Sequence, residues 1–294
     1  MNLECRWLTL ACLMLSTAHA GDMNKPSATL SVQGDDQDNR QWLGKLSLPL
    51  GEAAWVQGSF GRSDLAPAGA NDTRIAGVAV GGGGKNVSTA VEFVQRKGDA
   101  GFEQQSWAGT LDFHGKRASL GADGALRSAK ATSTATTQAG GVFGSPVTTT
   151  TQESADGTGF GMHGDFVVTP RFIVSAGAMR YQYDFDVKST TNASNTPLSS
   201  LLGTTTTVPG AWRDQAFVDR TYRVGGTYLL QHAAVNAQYF RDDVANSDIT
   251  FSTVQLQAEF PVGDSWLLSP TIGYSDGGNA GHVGYGGVSV RLNW

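Results

Sequence analysis

The chain has 294 residues and a formal net charge of −5, with 40% hydrophobic and 16% charged residues. This mild acidity, with no Lys/Arg cluster anywhere, argues against nucleic acid as a partner. Its two cysteines, Cys5 and Cys12, both lie in a leader segment. No disulfide framework, thiolate metal site or cofactor is therefore expected.

In "MNLECRWLTLACLMLSTAHA", Arg6 precedes an apolar run from Trp7 to Leu15, and Ala18-His19-Ala20 is a small-x-small cleavage site. Residues 1–20 thus read as a secretory signal peptide, leaving 21–294 as a single domain. After Ala20 no apolar stretch approaches the roughly 20 residues of a membrane helix. Hydrophobic spacing has period two almost throughout, and 38 glycines with many Thr, Val and Tyr suit strands and turns.

Alternation predicts about fourteen strands, with twelve or sixteen also compatible. The first seven fall at 27–34, 41–50, 53–62, 73–82, 86–97, 102–113 and 116–127. The rest fall at 157–169, 171–187, 215–230, 232–241, 247–261, 264–275 and 282–294. Odd-numbered connections are long or polar, as in "SDLAPAGANDT", and two Thr/Ser-rich ones span 128–156 and 188–214. Even-numbered ones, such as "GEA", "HGKR" and "TPR", are tight. Short turns at one end and long loops at the other are expected of a transmembrane β-barrel, and an even strand count returns the C-terminus to the short-turn side.

The two faces of the strands differ in chemistry. In "QWLGKLSLPL", Trp42, Leu46 and Leu48 oppose Lys45 and Ser47; in "VQLQAEF", Val254, Leu256 and Phe260 oppose Gln255, Gln257 and Glu259. Apolar-out and polar-in is the barrel pattern. The expected lumen face carries Lys45, Glu92, Asp112, Asp123, His163, Asp165, Arg223, Gln255, Gln257, Glu259 and Arg291, together with Gln104, Asn236 and Gln238. Both signs are present, so at most mild ion selectivity is expected. Aromatics near strand ends, among them Trp42, Trp55, Phe60, Phe102, Tyr181, Tyr183, Phe260 and Trp266, suggest two interfacial belts. Ile249 and Phe251 are out of phase with Val254 and Leu256, which suggests a bulge near Ser252 or residues standing above the membrane.

The signal "AHA", the alternation over nearly all of 21–294, and the ending "VSVRLNW" together resemble Gram-negative outer-membrane β-barrel proteins as a class. The size and strand count look like monomeric fourteen-stranded, porin-like channels, with no specific family matched. The resemblance implies an all-β, antiparallel up-and-down barrel in the outer membrane, surrounded by its lipid. In that class the last strand ends on an aromatic residue and is read by the barrel-assembly machinery. Val288, Val290, Leu292 and Trp294 stand in that place, with Trp294 where phenylalanine is usual.

No zinc helix motif occurs, and "GGGGKN" departs from the phosphate-loop pattern at Ala79 and Asn86. His163 and Asp165 in "GMHGDF" share a strand face, but no serine partner can be placed beside them, so no catalytic residue and no enzyme is expected. About eight strands fill a barrel with side chains and 16–18 leave a water channel. About fourteen point to a passive or weakly selective channel for small polar solutes. The alternatives are a non-conducting barrel displaying its loops for adhesion or exopolysaccharide assembly, and, third, an outer-leaflet enzyme.

Overall fold

A computed structural model describes residues 25–36, 38–64, 72–98, 101–138, 146–193, 218–245, 249–278 and 281–294. The leader read at residues 1–20 lies outside these residues.

The chain forms a closed antiparallel barrel of fourteen strands, each bonded to its sequence neighbours and β1 to β14. The first half comprises β1 Ser27–Asp35, β2 Arg40–Pro49, β3 Ala54–Asp64, β4 Thr73–Gly83, β5 Val87–Gly98, β6 Glu103–His114 and β7 Ala118–Gln138. The second comprises β8 Pro146–Thr169, β9 Phe172–Ala193, β10 Val218–Leu229, β11 Ala234–Val244, β12 Thr250–Val262, β13 Trp266–Asp276 and β14 His282–Asn293. The six even-numbered turns are short and lie at one end with Pro26 and Trp294. Gly51 (φ 87°) and Gly263 (φ 66°) supply the left-handed backbone that two of those turns require. In outer-membrane barrels the short-turn end is periplasmic.

Closure is made by the ending "VSVRLNW". Leu292 pairs with Ala28, Val290 with Leu30 and Val288 with Val32. Ser31 donates to Ser289 at 3.0 Å across the seam, and the Trp294 amide reaches the Pro26 carbonyl at 3.2 Å. A sheet edge in hydrocarbon would leave its backbone groups unsatisfied, so the seam removes a cost of several kcal/mol per group.

Alternation sorts the residues as a barrel in lipid requires. Apolar side chains such as Leu30, Leu46, Phe60, Val91, Phe160, Val224, Val254 and Ile272 stand exposed on the outer wall, where burial in bilayer replaces burial in a core. Buried polar residues, Gln41, Gln104, Thr253, Gln255, Ser269 and Thr271 among them, stand inside.

Three expectations need correction. Residues 128–138 and 146–156 belong to β7 and β8, so most of the loop expected at 128–156 is strand. Thr-rich sequence reads as a flexible loop by composition, yet Thr is β-branched and pairs well across strands: Thr132 lies opposite Gln152 and Thr150 opposite Thr190. Strand β9 likewise runs to Ala193, into the loop expected at 188–214, whose remainder lies outside the described residues. Strands β7 to β9, at 21, 24 and 22 residues, are about twice the 9–11 residues needed to cross the hydrocarbon, so they project beyond the rim.

The second correction concerns the belts. Trp42, Phe60, Phe113, Tyr239, Phe260, Trp266, Tyr274 and Trp294 are outward and exposed. Trp55, Tyr181 and Tyr183 turn inward, since Trp55 lies opposite Gly81, and Tyr181 and Tyr183 opposite Gly159 and Gly157. Phe102 packs in an inward cluster with Tyr183 and Phe185. Third, of the two explanations for Ile249 and Phe251, the bulge is excluded, because β12 pairs with β11 without any register shift at Ser252, which leaves residues standing at the long-loop mouth. Phe251 faces inward because the mouth contains an apolar cluster of Val218, Val244, Phe251 and Ile249.

Candidate functional site

The inward wall is built from large polar or aromatic side chains laid over glycines of adjoining strands. A Cβ at Gly177 would come within 2.6 Å of Arg223 Nε, one at Gly81 within 2.8 Å of Trp55 Nε1, and one at Gly77 within 2.6 Å of Ser59 Oγ. Gly121 lies beneath Asp112 and His163, Gly157 and Gly159 beneath Tyr183 and Tyr181, Gly273 beneath Tyr285, and Gly287 beneath Gln33. Each glycine removes a side chain at the point where its neighbour crosses the wall. The neighbour can then lie flat instead of pointing to the barrel axis.

Register places Lys45, Glu92, Gln104, Asp112, Asp123, His163, Asp165 and Arg223 on the face opposite the exposed apolar rows. The same holds for Asn236, Gln238, Gln255, Gln257, Glu259 and Arg291. Lys45 on β2 and Glu92 on β5 interact electrostatically across the small residues of β3 and β4. Gln255 accepts from Tyr285 at 3.1 Å, Asn236 donates to Thr227 at 2.7 Å, and Gln257 donates to Glu259 at 3.4 Å. Arg291 donates to Asn293 at 3.2 Å, and Arg96 to Gln104 at 3.4 Å.

His163 does not partner Asp165. Two positions apart on one strand, they share a face but diverge, and Asp165 accepts from Ser119 at 3.0 Å. His163 instead lies between Asp123 (Nδ1 to Oδ2, 2.8 Å) and Asp112 (Nε2 to Oδ1, 2.7 Å), with all three side chains about one-fifth exposed. An imidazole donates from both nitrogens only as the imidazolium. This residue therefore bridges two acidic strands and has no free nitrogen with which to act as a general base. Spacing along one strand could not reveal it, because β6, β7 and β8 each contribute one member.

A second inward cluster marks the long-loop end. Arg127 donates to Tyr181 at 2.8 Å and Tyr183 at 3.2 Å, with its guanidinium 4.0 Å from the Tyr181 ring centroid. Tyr183 in turn donates to the Val218 carbonyl at 3.2 Å. Next to it Phe102, Phe185, Ala129, Ala155 and Ala245 pack together. Phe102 enters from the β5–β6 connection and Ala245 from the end of β11, five strand spacings away around the wall. The cluster thus runs along the inner wall at the long-loop mouth, from Phe102 past the cross-strand pair Ala129 and Ala155 to Ala245. The sequence signal was available: Tyr181, Tyr183 and Phe185 alternate with Arg180, Gln182 and Asp184, and glycines at 157, 159 and 161 recur with the same period on β8.

No family model and no curated protein matches the sequence. Solved structures do resemble the fold. The monoaromatic hydrocarbon channel CymD aligns over 92% of this chain and 88% of its own, at 8% identity and a TM-score of 0.58. The translocator domain of the autotransporter NalP from Neisseria meningitidis aligns over 97% and 94%, at 14% identity and 0.50. The KdgM porin aligns over 91% and 99%, at 8% identity and 0.45. The fold is thus that of the outer-membrane β-barrels.

Proposed function

We propose that this protein is an outer-membrane channel, passive and at most weakly selective, for small polar solutes. The observation that carries this reading is the flat-lying inner wall: in a fourteen-strand barrel, side chains seated over glycines leave axial space that upright side chains would fill. The wall's ionisable groups carry both signs in near balance, and His163 is paired with Asp112 and Asp123, which favours weak selectivity. Planar-bilayer recording of the purified protein tests it. Discrete conductance steps with a small reversal potential in a salt gradient are expected, and no steps at any voltage would sink the proposal.

A second reading, a barrel that displays an adhesion or envelope-assembly surface, is favoured by the projection of β7, β8 and β9 past the rim. Shortening the β7–β8 hairpin between residues 133 and 151 separates the two. A channel conducts as well or better without the projection, whereas a display protein loses partner capture while its barrel remains intact.

A further inference from the structure

The outer wall carries a feature that conduction does not use. Arg62, Arg74 and Lys97 are successive cross-strand partners on β3, β4 and β5, all outward and exposed. Arg180 and Arg220 are partners on β9 and β10, also outward and exposed. Like charges directly opposite each other destabilise a sheet. Arg62 is offset by Asp64 and Asp72, Lys97 by Glu103 at 3.5 Å, and Arg220 by Asp219 at 3.3 Å. Arg74 and Arg180 have no carboxylate partner among the described residues.

Their height is informative. The periplasmic ends of these strands are Ala54, Gly83, Val87, Phe172 and Leu229. The five cations stand about 8–10 residues beyond those ends, close to the 9–11 residues a tilted strand takes to cross the hydrocarbon. They therefore lie at the headgroups of the outer leaflet. Between the two rows, on β6 to β9 at similar height, the wall holds a groove of about 680 Å³. Trp107 and Leu126 form its membrane-side floor, with Thr158 in the same cross-strand row, while Ser128, Asp156 and Asp184 make the next outward row above. An apolar floor, hydroxyl and carboxylate acceptors above it, and cations at both ends are complementary to a sugar that carries acyl chains below and phosphates at its ends.

We propose that this face, from β3 to β10, binds the phosphorylated glycolipid of the outer leaflet, with the groove taking its sugar and the Arg62–Arg74–Lys97 and Arg180–Arg220 rows taking its phosphates. The assignment rests on the outer-membrane placement but is independent of conduction.

Purified barrel in detergent is titrated with rough-form lipopolysaccharide, with its dephosphorylated form and with phosphatidylglycerol, and binding is read by native mass spectrometry. Each cation near an anionic surface contributes about fivefold. Arg74→Glu/Arg180→Glu should therefore weaken binding of the phosphorylated glycolipid about twentyfold or more, while wild type and variant bind the dephosphorylated form equally weakly. A loss below fivefold, or phosphatidylglycerol binding wild type as tightly as the glycolipid, overturns the proposal. Heat-modifiable gel mobility checks folding. If the double Glu variant does not fold, Arg74→Gln/Arg180→Gln is held to the same fivefold criterion. Bilayer conductance of the same variant should match wild type, so failure of this site and failure of the channel reading are read separately.

Discussion

Replacing His163 with alanine tests the Asp112–His163–Asp123 bridge most directly. Hydrogen bonds to charged groups contribute about 1.5–3 kcal/mol each. The bridge contains two such bonds, at 2.7 and 2.8 Å, between side chains about one-fifth exposed. In His163→Ala each carboxylate regains some water from the lumen, so only part of that sum is lost. The two carboxylates then face each other across the space of the ring and its two hydrogen bonds with no cation between them. At an effective dielectric of about 20 or higher, their repulsion is about 1–2 kcal/mol; it is present in the wild type too, where the imidazolium outweighs it, so it is not added to the loss. The expected destabilisation is about 3 kcal/mol, read from urea unfolding of the barrel in lipid vesicles by tryptophan fluorescence.

A second substitution gives this prediction its sign. Asp123→Asn alone breaks a charged hydrogen bond and destabilises the barrel. In the His163→Ala background it removes the repulsion and recovers stability. A double-mutant cycle thus expects the effect of Asp123→Asn to reverse with the background. The reversal potential should shift toward cations in His163→Ala, since one lumen cation is gone while two carboxylates remain. A loss under about 1 kcal/mol, or further destabilisation in the double variant, would refute the bridge.

Gly177→Leu should lower single-channel conductance without abolishing insertion, because the new side chain lifts Arg223 off the wall toward the axis; unchanged conductance would count against the flat-wall argument. Phe185→Ala should raise conductance by loosening the packing of Phe102, Tyr183 and Ala245 at the mouth; an unaltered current would place the narrowest section elsewhere. Leu256→Arg, on the exposed outer face six residues from the periplasmic end of β12 and so near mid-membrane, should cost about 2–4 kcal/mol in vesicle unfolding, whereas Gln257→Arg, its inward neighbour, should cost much less. Deleting Trp294, a residue 56% exposed, should reduce the barrel delivered to the outer membrane in cells yet leave folding of the purified chain in detergent nearly unchanged; equal membrane levels would speak against its role in assembly.

The barrel was legible because lipid and lumen impose opposite chemistry on alternate residues, and that contrast is local. Leu46 beside Lys45 and Val254 beside Gln255 need no knowledge of distant strands to be sorted. The alternation of tight and long connections gave strand number and polarity for the same reason. What failed was local in a different sense. Tyr181 and Tyr183 look like belt residues until β8 is placed beside them and its glycines are seen to receive the rings. His163 looks like a partner of Asp165 until β6 and β7 bring Asp112 and Asp123 to either side. Both are cross-strand facts, set by register, and register depends on turn lengths summed along the chain. The 128–156 segment resembles a loop because composition favours one wherever Thr, Ser and Gly concentrate, while paired threonines extend a sheet equally well.

The same wall treats its charges in two ways, and this bears on what the barrel does. Inside, opposite charges are brought together: Lys45 toward Glu92, and His163 between two aspartates. Such local cancellation leaves little net field along the axis, and on the channel reading a solute would meet polar groups already engaged with one another. Outside, at the level of the headgroups, Arg74 and Arg180 are left beside further cations. A side chain there can be balanced by the anionic membrane itself instead of by an internal partner. On the channel reading proposed above, the distribution separates a lumen of low charge bias from an outer surface whose charges are complementary to the anionic leaflet around it. Reversing Arg74 and Arg180 should change retention of lipid and not ion preference, while changing His163 should do the opposite.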